Sequence, residues 1–98
     1  MTATTPTLAD FVALRGERFS VRHDGAEALW AELVEAQPLG SLPFNGMQPF
    51  SLMFAGPAAP ALPQRTYHLA HERMPALDIF LVPVGGDDSC MRYQAIFS

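Results

Sequence analysis

The sequence contains no lysine and a single cysteine, Cys90. One cysteine excludes an internal disulfide and a cluster of cysteine metal ligands. A basic excess is also missing, because six arginines stand against ten acidic residues and the formal net charge is −4. The arginines are scattered along the chain, whereas nucleic-acid binders usually carry a basic stripe. We therefore expect no nucleic-acid partner.

Long apolar runs are absent as well. No stretch reaches the roughly 18 apolar residues that a membrane-spanning helix requires, so we expect no membrane span. Residues 1–6 carry neither the basic residues nor the apolar core of a secretory signal. The expected location is the cytoplasm, unless the protein is exported as part of an assembly. The 98 residues are enough for one domain, which we place at residues 8–98 after a flexible tail at 1–7.

Apolar residues are abundant relative to charged ones. The hydrophobic fraction is 49% and the charged fraction 16%, against about 25% charged residues in a typical domain. A core this small cannot absorb every apolar side chain, so part of the excess is expected on a partner-facing surface. The alternative is a weakly charged monomer without such a surface.

The first element predicted is a short helix over residues 8–15. Thr7 and Asp10 have the spacing of a capping box, which satisfies free backbone N–H groups at a helix start. Leu8, Phe11 and Val12 follow at helical spacing and are expected to face the core. Gly16 supplies the stop.

From residue 18 the apolar period changes to two, which is typical of strands. The alternation predicts strands at 18–23, 50–54, 66–71, 77–84 and 91–97, and turn residues predict hairpins at 24–25 and 85–89. The segment 27–35 fits either a helix or a strand, and the preceding Asp24-Gly25 turn favours a strand. Apolar residues on both faces at 79–84 suggest the most central strand, and 91–97 is expected at a sheet edge.

These elements predict a mainly β fold. The expected architecture is a small antiparallel six-stranded partly open barrel, or a two-layer sandwich, with one short N-terminal helix. Residues 37–49 and 57–63 contain most of the prolines and are expected to form loops.

Several separated motifs resemble one known family. They are PFSLMFAGP at 49–57, LPQRTY at 62–67, His71-Glu72, DIFLVPVG at 78–85 and RYQAIF at 92–97. Together they resemble a family of short, uncharacterised bacterial proteins grouped as a domain of unknown function of the 6916 type. The resemblance implies a setting beside phage-tail-like proteins and supplies no catalytic residues. Gln94 and Arg65 depart from the family pattern, which has Glu and Gly there.

No spacing of reactive side chains indicates catalysis. His68 and His71 would share a metal on a helix, but positions i and i+3 of a strand face opposite sides. Asp87 and Asp88 are too few for a calcium loop, which needs about six oxygen ligands. No serine lies in a nucleophile elbow, and Cys90 is expected to be inert. We predict no catalytic residues, no cofactor and no metal.

Two functions stay open from the sequence. The first is a non-enzymatic structural or interaction module that binds a protein partner or itself, with Phe44, Met47 and Met53 as surface anchors. Phe44 and Met47 would otherwise fold back and plug one end of the barrel. The second is a small-molecule-binding β barrel with Trp30, Tyr67 and Phe80 near the pocket. That function requires a cavity of roughly 300 Å³ or more.

Overall fold

A computed structural model describes residues 7–23, 29–39, 49–58 and 62–97. It contains one helix and six strands. Their bounds are α1 Leu8–Val12, β1 Arg18–Arg22, β2 Leu29–Pro38, β3 Phe50–Pro57, β4 Arg65–His71, β5 Met74–Gly86 and β6 Cys90–Phe97. The mainly β composition, the antiparallel pairing and the single short helix are confirmed.

The six strands form a closed antiparallel barrel in the order β1-β2-β3-β6-β5-β4. Closure is made by β1 and β4, which pair at Ser20 with Ala70 and at Val21 with Leu69. The sheet is therefore neither partly open nor split into two layers. In a closed barrel, each strand turns one face inward and the other outward. The alternation of apolar and polar residues along each strand therefore suits a barrel with an apolar interior.

Closure corrects two predictions about individual strands. The strand β6 pairs with both β3 and β5, so it is not a sheet edge. The strand β5 is not buried on both faces, because Phe80 and Val84 are each about half exposed. In a ring every strand is paired on both sides, so no strand is central.

The helix begins as predicted and ends earlier. The Thr7 side chain accepts a hydrogen bond from the Asp10 backbone N–H, and the Asp10 carboxylate accepts one from the Thr7 N–H. Thr7 therefore belongs to the helix cap and not to a tail, and residues 1–6 lie outside the described residues. The prediction for Val12 is wrong, because Leu14 is buried in its place and Val12 is exposed.

One glycine and one proline mark irregular backbone positions, Gly16 between α1 and β1 and Pro75 inside β5. Gly16 has φ of 89°, a conformation that glycine adopts without strain. Its N–H donates to the Leu33 carbonyl and ties the end of the helical turn to β2. The connection between β4 and β5 is short, because β4 ends at His71 and β5 already begins at Met74. Pro75 is tolerated in β5 since the register with β4 shifts between Leu69 and His71.

The segment 27–35 is a strand from Leu29 onward, as the hairpin argument favoured, and β2 continues to Pro38. The turn at residues 24–28 lies outside the described residues. Ala31 and Leu33 face the interior, and Trp30, Glu32 and Val34 are exposed. The first part of the predicted loop at 37–49 is therefore strand.

Fifteen buried apolar residues fill the barrel and its helix end. They are Phe11, Leu14, Phe19, Val21, Ala31, Leu33, Phe50, Leu52, Phe54, Tyr67, Leu69, Ile79, Leu81, Tyr93 and Ala95. The helix α1 covers one end, where Phe11 contacts the rings of Phe19, Phe50 and Phe97. No helix among the described residues is long and apolar enough to cross a membrane.

Candidate functional site

The barrel interior leaves little room for a ligand at the end opposite the helix. There Tyr67 donates its hydroxyl proton to the Pro63 carbonyl at 2.6 Å, and the Tyr93 hydroxyl accepts from the Leu62 N–H at 2.8 Å. Burial raises the pKa of the Tyr67 phenol. The cavity beside Val21 and Tyr93 measures about 10 Å³, about the space of one water molecule.

The three residues proposed for a ligand pocket do not meet. Tyr67 is buried in the interior, whereas Trp30 and Phe80 are exposed on the outside of the barrel. Alternation explains the separation, because the register that places Ala31 and Leu33 inside must place Trp30 outside. An internal pocket built from Trp30, Tyr67 and Phe80 is therefore not formed.

The two histidines lie on opposite sides of β4, as the strand geometry predicts. His68 Nδ1 lies 3.2 Å from the Asp78 carboxylate on the outer surface. His71 is largely buried at the helix end, with its Nε2 3.3 Å from the Glu17 Oε1. Its Nδ1 accepts the Arg73 backbone N–H at 3.0 Å. Both ring nitrogens of His71 are therefore engaged, which leaves no free nitrogen for general base chemistry.

Glu17 joins two chain segments at the helix end. Its Oε1 lies 2.8 Å from the Arg73 Nη2 as well as close to His71. Hydrogen bonds from Arg73 and His71 hold the pKa of the Glu17 carboxyl below its usual value. In the described ranges, no group of three or more His, Cys, Asp or Glu side chains is arranged to hold a metal ion.

Asp87 closes the hairpin between β5 and β6. Its Oδ1 accepts hydrogen bonds from the Ser89 N–H, the Ser89 hydroxyl and the Cys90 N–H at 2.6–3.0 Å. These bonds lower the pKa of the Asp87 carboxyl to about 2. The carboxylate is occupied by its own turn, which fits the interpretation of residues 85–89 as a polar hairpin.

A groove of about 680 Å³ lies on the outer wall over β1. It is lined by Gly16, Glu17, Arg18, Ser20, Trp30, Ala70, His71 and Glu72. Its floor is low because Ser20 and Ala70, two small residues, are direct cross-strand neighbours. Trp30 stands opposite Ser20 on β2 and is 60% exposed. An exposed indole thus borders a depression that no described side chain fills.

Opposite charges flank this groove without pairing. Arg18 of β1 and Glu32 of β2 are direct cross-strand partners, and both are exposed. Neither forms an ion pair with any residue in the part of the chain that the structure describes. Both charged groups are therefore available to a partner molecule.

A second apolar surface lies across β5 and β6, on another part of the wall. Phe80 is 51% exposed and Ile96 is 60% exposed. Both line a depression of about 320 Å³. Ser51 of β3 is the cross-strand partner of Ile96, and Met53, half-buried, follows two positions along the same strand.

The predicted anchors are thus placed in part. Met53 lies on the outer wall beside the surface formed by Phe80 and Ile96. Phe44 and Met47 lie outside the described residues. Ile96 was missed, although its alternation with the buried Tyr93 and Ala95 already indicates an outward direction.

Fold and surface together define a small closed antiparallel barrel with a filled interior and apolar residues on its outer wall. The chain belongs to the family described as domain of unknown function DUF6916, whose family model matches residues 6–97. This confirms the family resemblance drawn from the sequence motifs. No curated protein and no solved structure matches the chain.

Proposed function

We propose that this protein is a non-enzymatic interaction module that binds a protein partner through the outer wall of its barrel. The observation that carries the proposal is the neighbouring pair Phe80 and Ile96, both more than half exposed beside a filled interior. Grouped apolar side chains on a soluble surface mark interaction sites more often than single ones do.

Burial of this pair would contribute to the binding free energy. Fully burying an exposed apolar side chain contributes about 1.5–3 kcal/mol, of which roughly half is still to be gained at side chains that are already half buried. The half-buried Met53 extends the same surface. The depression of about 320 Å³ gives a partner side chain a place to insert. Such a central apolar anchor surrounded by polar residues is the usual arrangement of an interface hot spot.

Ring closure restricts how a partner binds. An open sheet edge can accept an additional strand from another chain. Each strand of this ring is already paired on both sides, so recognition falls to side chains on the wall. The family resemblance suggests a bacterial phage-tail-like assembly as the setting, with the protein in the cytoplasm or carried in an exported assembly.

For the alternative of a small-molecule-binding barrel, the residues that the structure describes enclose little space inside the barrel. The described space at the tyrosine end is about 10 Å³, against roughly 300 Å³ for a ligand pocket. This difference supports a function on the outside of the barrel.

Site-specific photo-crosslinking tests this proposal in cells that naturally produce the protein. A photoreactive residue replaces Phe80 in one variant and Ala76, an exposed position on the same strand, in a matched control. We expect a discrete crosslinked protein from position 80 and none from position 76. Equal crosslinking at both positions, or none at either, would refute the proposed surface.

A further inference from the structure

We propose that the groove beside Trp30 receives a second copy of this chain, forming a two-fold dimer in which each Trp30 enters the partner's groove. The inference goes beyond the proposed function, because it assigns a partner to the groove beside Trp30, which lies on a different part of the wall from Phe80 and Ile96. The two-fold axis lies above the wall between β1 and β2, parallel to both strands. It relates two identical surfaces face to face, as in other isologous dimers.

The shape of the surface supports this arrangement. Trp30 and Ser20 are direct cross-strand neighbours, one large and one small. A rotation of 180° about an axis between their strands carries Trp30 of one copy over Ser20 of the other. The groove above Ser20 and Ala70 measures about 680 Å³. This volume has room for an indole. A Trp side chain typically buries about 150–250 Å² of surface in such a contact.

The charges agree with the same rotation. Arg18 and Glu32 are the next cross-strand pair on the outer face. The rotation that carries Trp30 over Ser20 also carries Arg18 of each copy over Glu32 of the other. Two ion pairs result between side chains that have no ion-pair partner within the described chain. Such complementary charges fix the register of an interface more than they raise its affinity.

A small anion is a poorer occupant of the same groove. Arg18 would attract it, but Glu17 and Glu72 also line the groove and Glu32 stands directly beside Arg18. An apolar ligand without charges would leave Arg18 and Glu32 unmatched. A second copy matches the indole, the low floor and both charges at once.

The chain offers a direct optical readout of this contact. Trp30 is its single tryptophan, so the emission reports on this residue alone. Samples from about 1 μM to about 1 mM cover the affinities expected of a small interface. We expect the emission to shift to shorter wavelength as concentration rises, in step with a doubling of mass in sedimentation equilibrium.

Trp30→Ser should remove the dimer, while Phe80→Ser, the matched aromatic control, should retain it.

Charge reversal tests the two-fold geometry. Arg18→Glu would set two carboxylates against each other at both ion-pair positions of the interface, and Glu32→Arg would set two guanidinium groups against each other there. Each variant alone should therefore dimerise at least about tenfold more weakly. An equimolar mixture of the two variants forms mixed dimers in which opposite charges face each other again, and it should recover most of the wild-type affinity. Arg92→Glu, a reversal at an exposed position on β6, should leave the dimer unchanged.

The outcomes separate this proposal from the proposed function. A strict monomer over the whole range, or a dimer indifferent to Trp30→Ser, overturns the two-fold pairing. Failure of the mixed variants to recover overturns it as well. A photoreactive residue at position 30 that captures a different protein assigns the groove to that protein and also overturns the pairing. These results leave the proposed function untouched, because that function is tested on its own by photo-crosslinking from position 80.

Discussion

The two ends of the barrel are closed by different chemistry. At the helix end, the Phe11 ring centroid lies 5.6–6.3 Å from those of three other phenylalanines, so the plug of that end is apolar, with Glu17, His71 and Arg73 beside it. At the opposite end, the hydroxyls of Tyr67 and Tyr93 hold the backbone of residues 62–63 through two hydrogen bonds. Apolar burial is roughly proportional to area, whereas a hydrogen bond depends on the position of single atoms.

This difference indicates where the stability of the fold is concentrated. Closure by aromatic packing contributes several kcal/mol at one buried residue. Closure by hydrogen bonds contributes on the order of 1 kcal/mol for each bond. We therefore expect substitutions at the helix end to unfold the protein most readily and those at the tyrosine end to loosen a local segment.

The largest effect is expected from Phe11→Ala. Phe11 is fully buried, so the change should lower the free energy of unfolding by about 3–5 kcal/mol. Val12→Ala is a matched control on the same helix, because Val12 is exposed and should change stability by less than about 0.5 kcal/mol. Urea denaturation of both variants measures the difference. Similar losses in the two variants would contradict the assignment of the helix as an apolar plug.

A smaller and more local effect is expected from Tyr93→Phe. The Leu62 N–H loses its acceptor, which should cost about 1–3 kcal/mol. Hydrogen exchange should show the Leu62 amide exchanging faster in the variant than in the wild type. Combined with Tyr67→Phe, the loss should be less than additive, because both hydroxyls hold the same segment. Full additivity would show that the two bonds act independently.

The smallest effect is expected from acidification at the helix end. The pKa of Glu17 is lowered in the folded protein from an ordinary value of 4.5. Its contribution is therefore complete above that ordinary value and is lost as pH falls through the lowered folded pKa. Glu17→Gln should flatten the decline in urea midpoint as pH falls below that ordinary value.

Asp87→Asn provides a contrast for the acid experiment. The pKa of Asp87 is lowered from 3.8 to about 2 in the folded protein, so its contribution to stability is lost as pH falls from 3.8 toward 2, and Asp87→Asn should flatten the decline in urea midpoint over that range. A midpoint decline that is the same in wild type and Glu17→Gln would show that the contacts of Glu17 with His71 and Arg73 add nothing to stability.

Features decided by neighbouring residues could be predicted from the sequence. The capping box at Thr7 and Asp10 involves positions three apart, and strand alternation repeats every second residue. The outward direction of Trp30 also follows from alternation, although its size made it a candidate for an internal pocket. Local pattern therefore predicted the helix start, the strands and most inward faces.

Features decided by distant residues could not be predicted. Pairing of β1 with β4 joins Ser20 to Ala70, fifty positions away, and no local pattern encodes it. The bond between Leu62 and Tyr93 spans 31 residues. The groove likewise depends on small residues from β1 and β4 becoming neighbours only after the ring closes.

The contact between the first helix and the last strand determines how the domain can be reconnected or fused to another chain. Phe11 and Phe97 contact each other with ring centroids 5.6 Å apart, so α1 and the last residues of β6 meet at the same end of the barrel. A short linker could join the start of α1 to the end of β6, which is the condition for a circularly permuted chain to fold. A reporter placed in that linker would lie beside the helix, away from the lateral wall and the far rim.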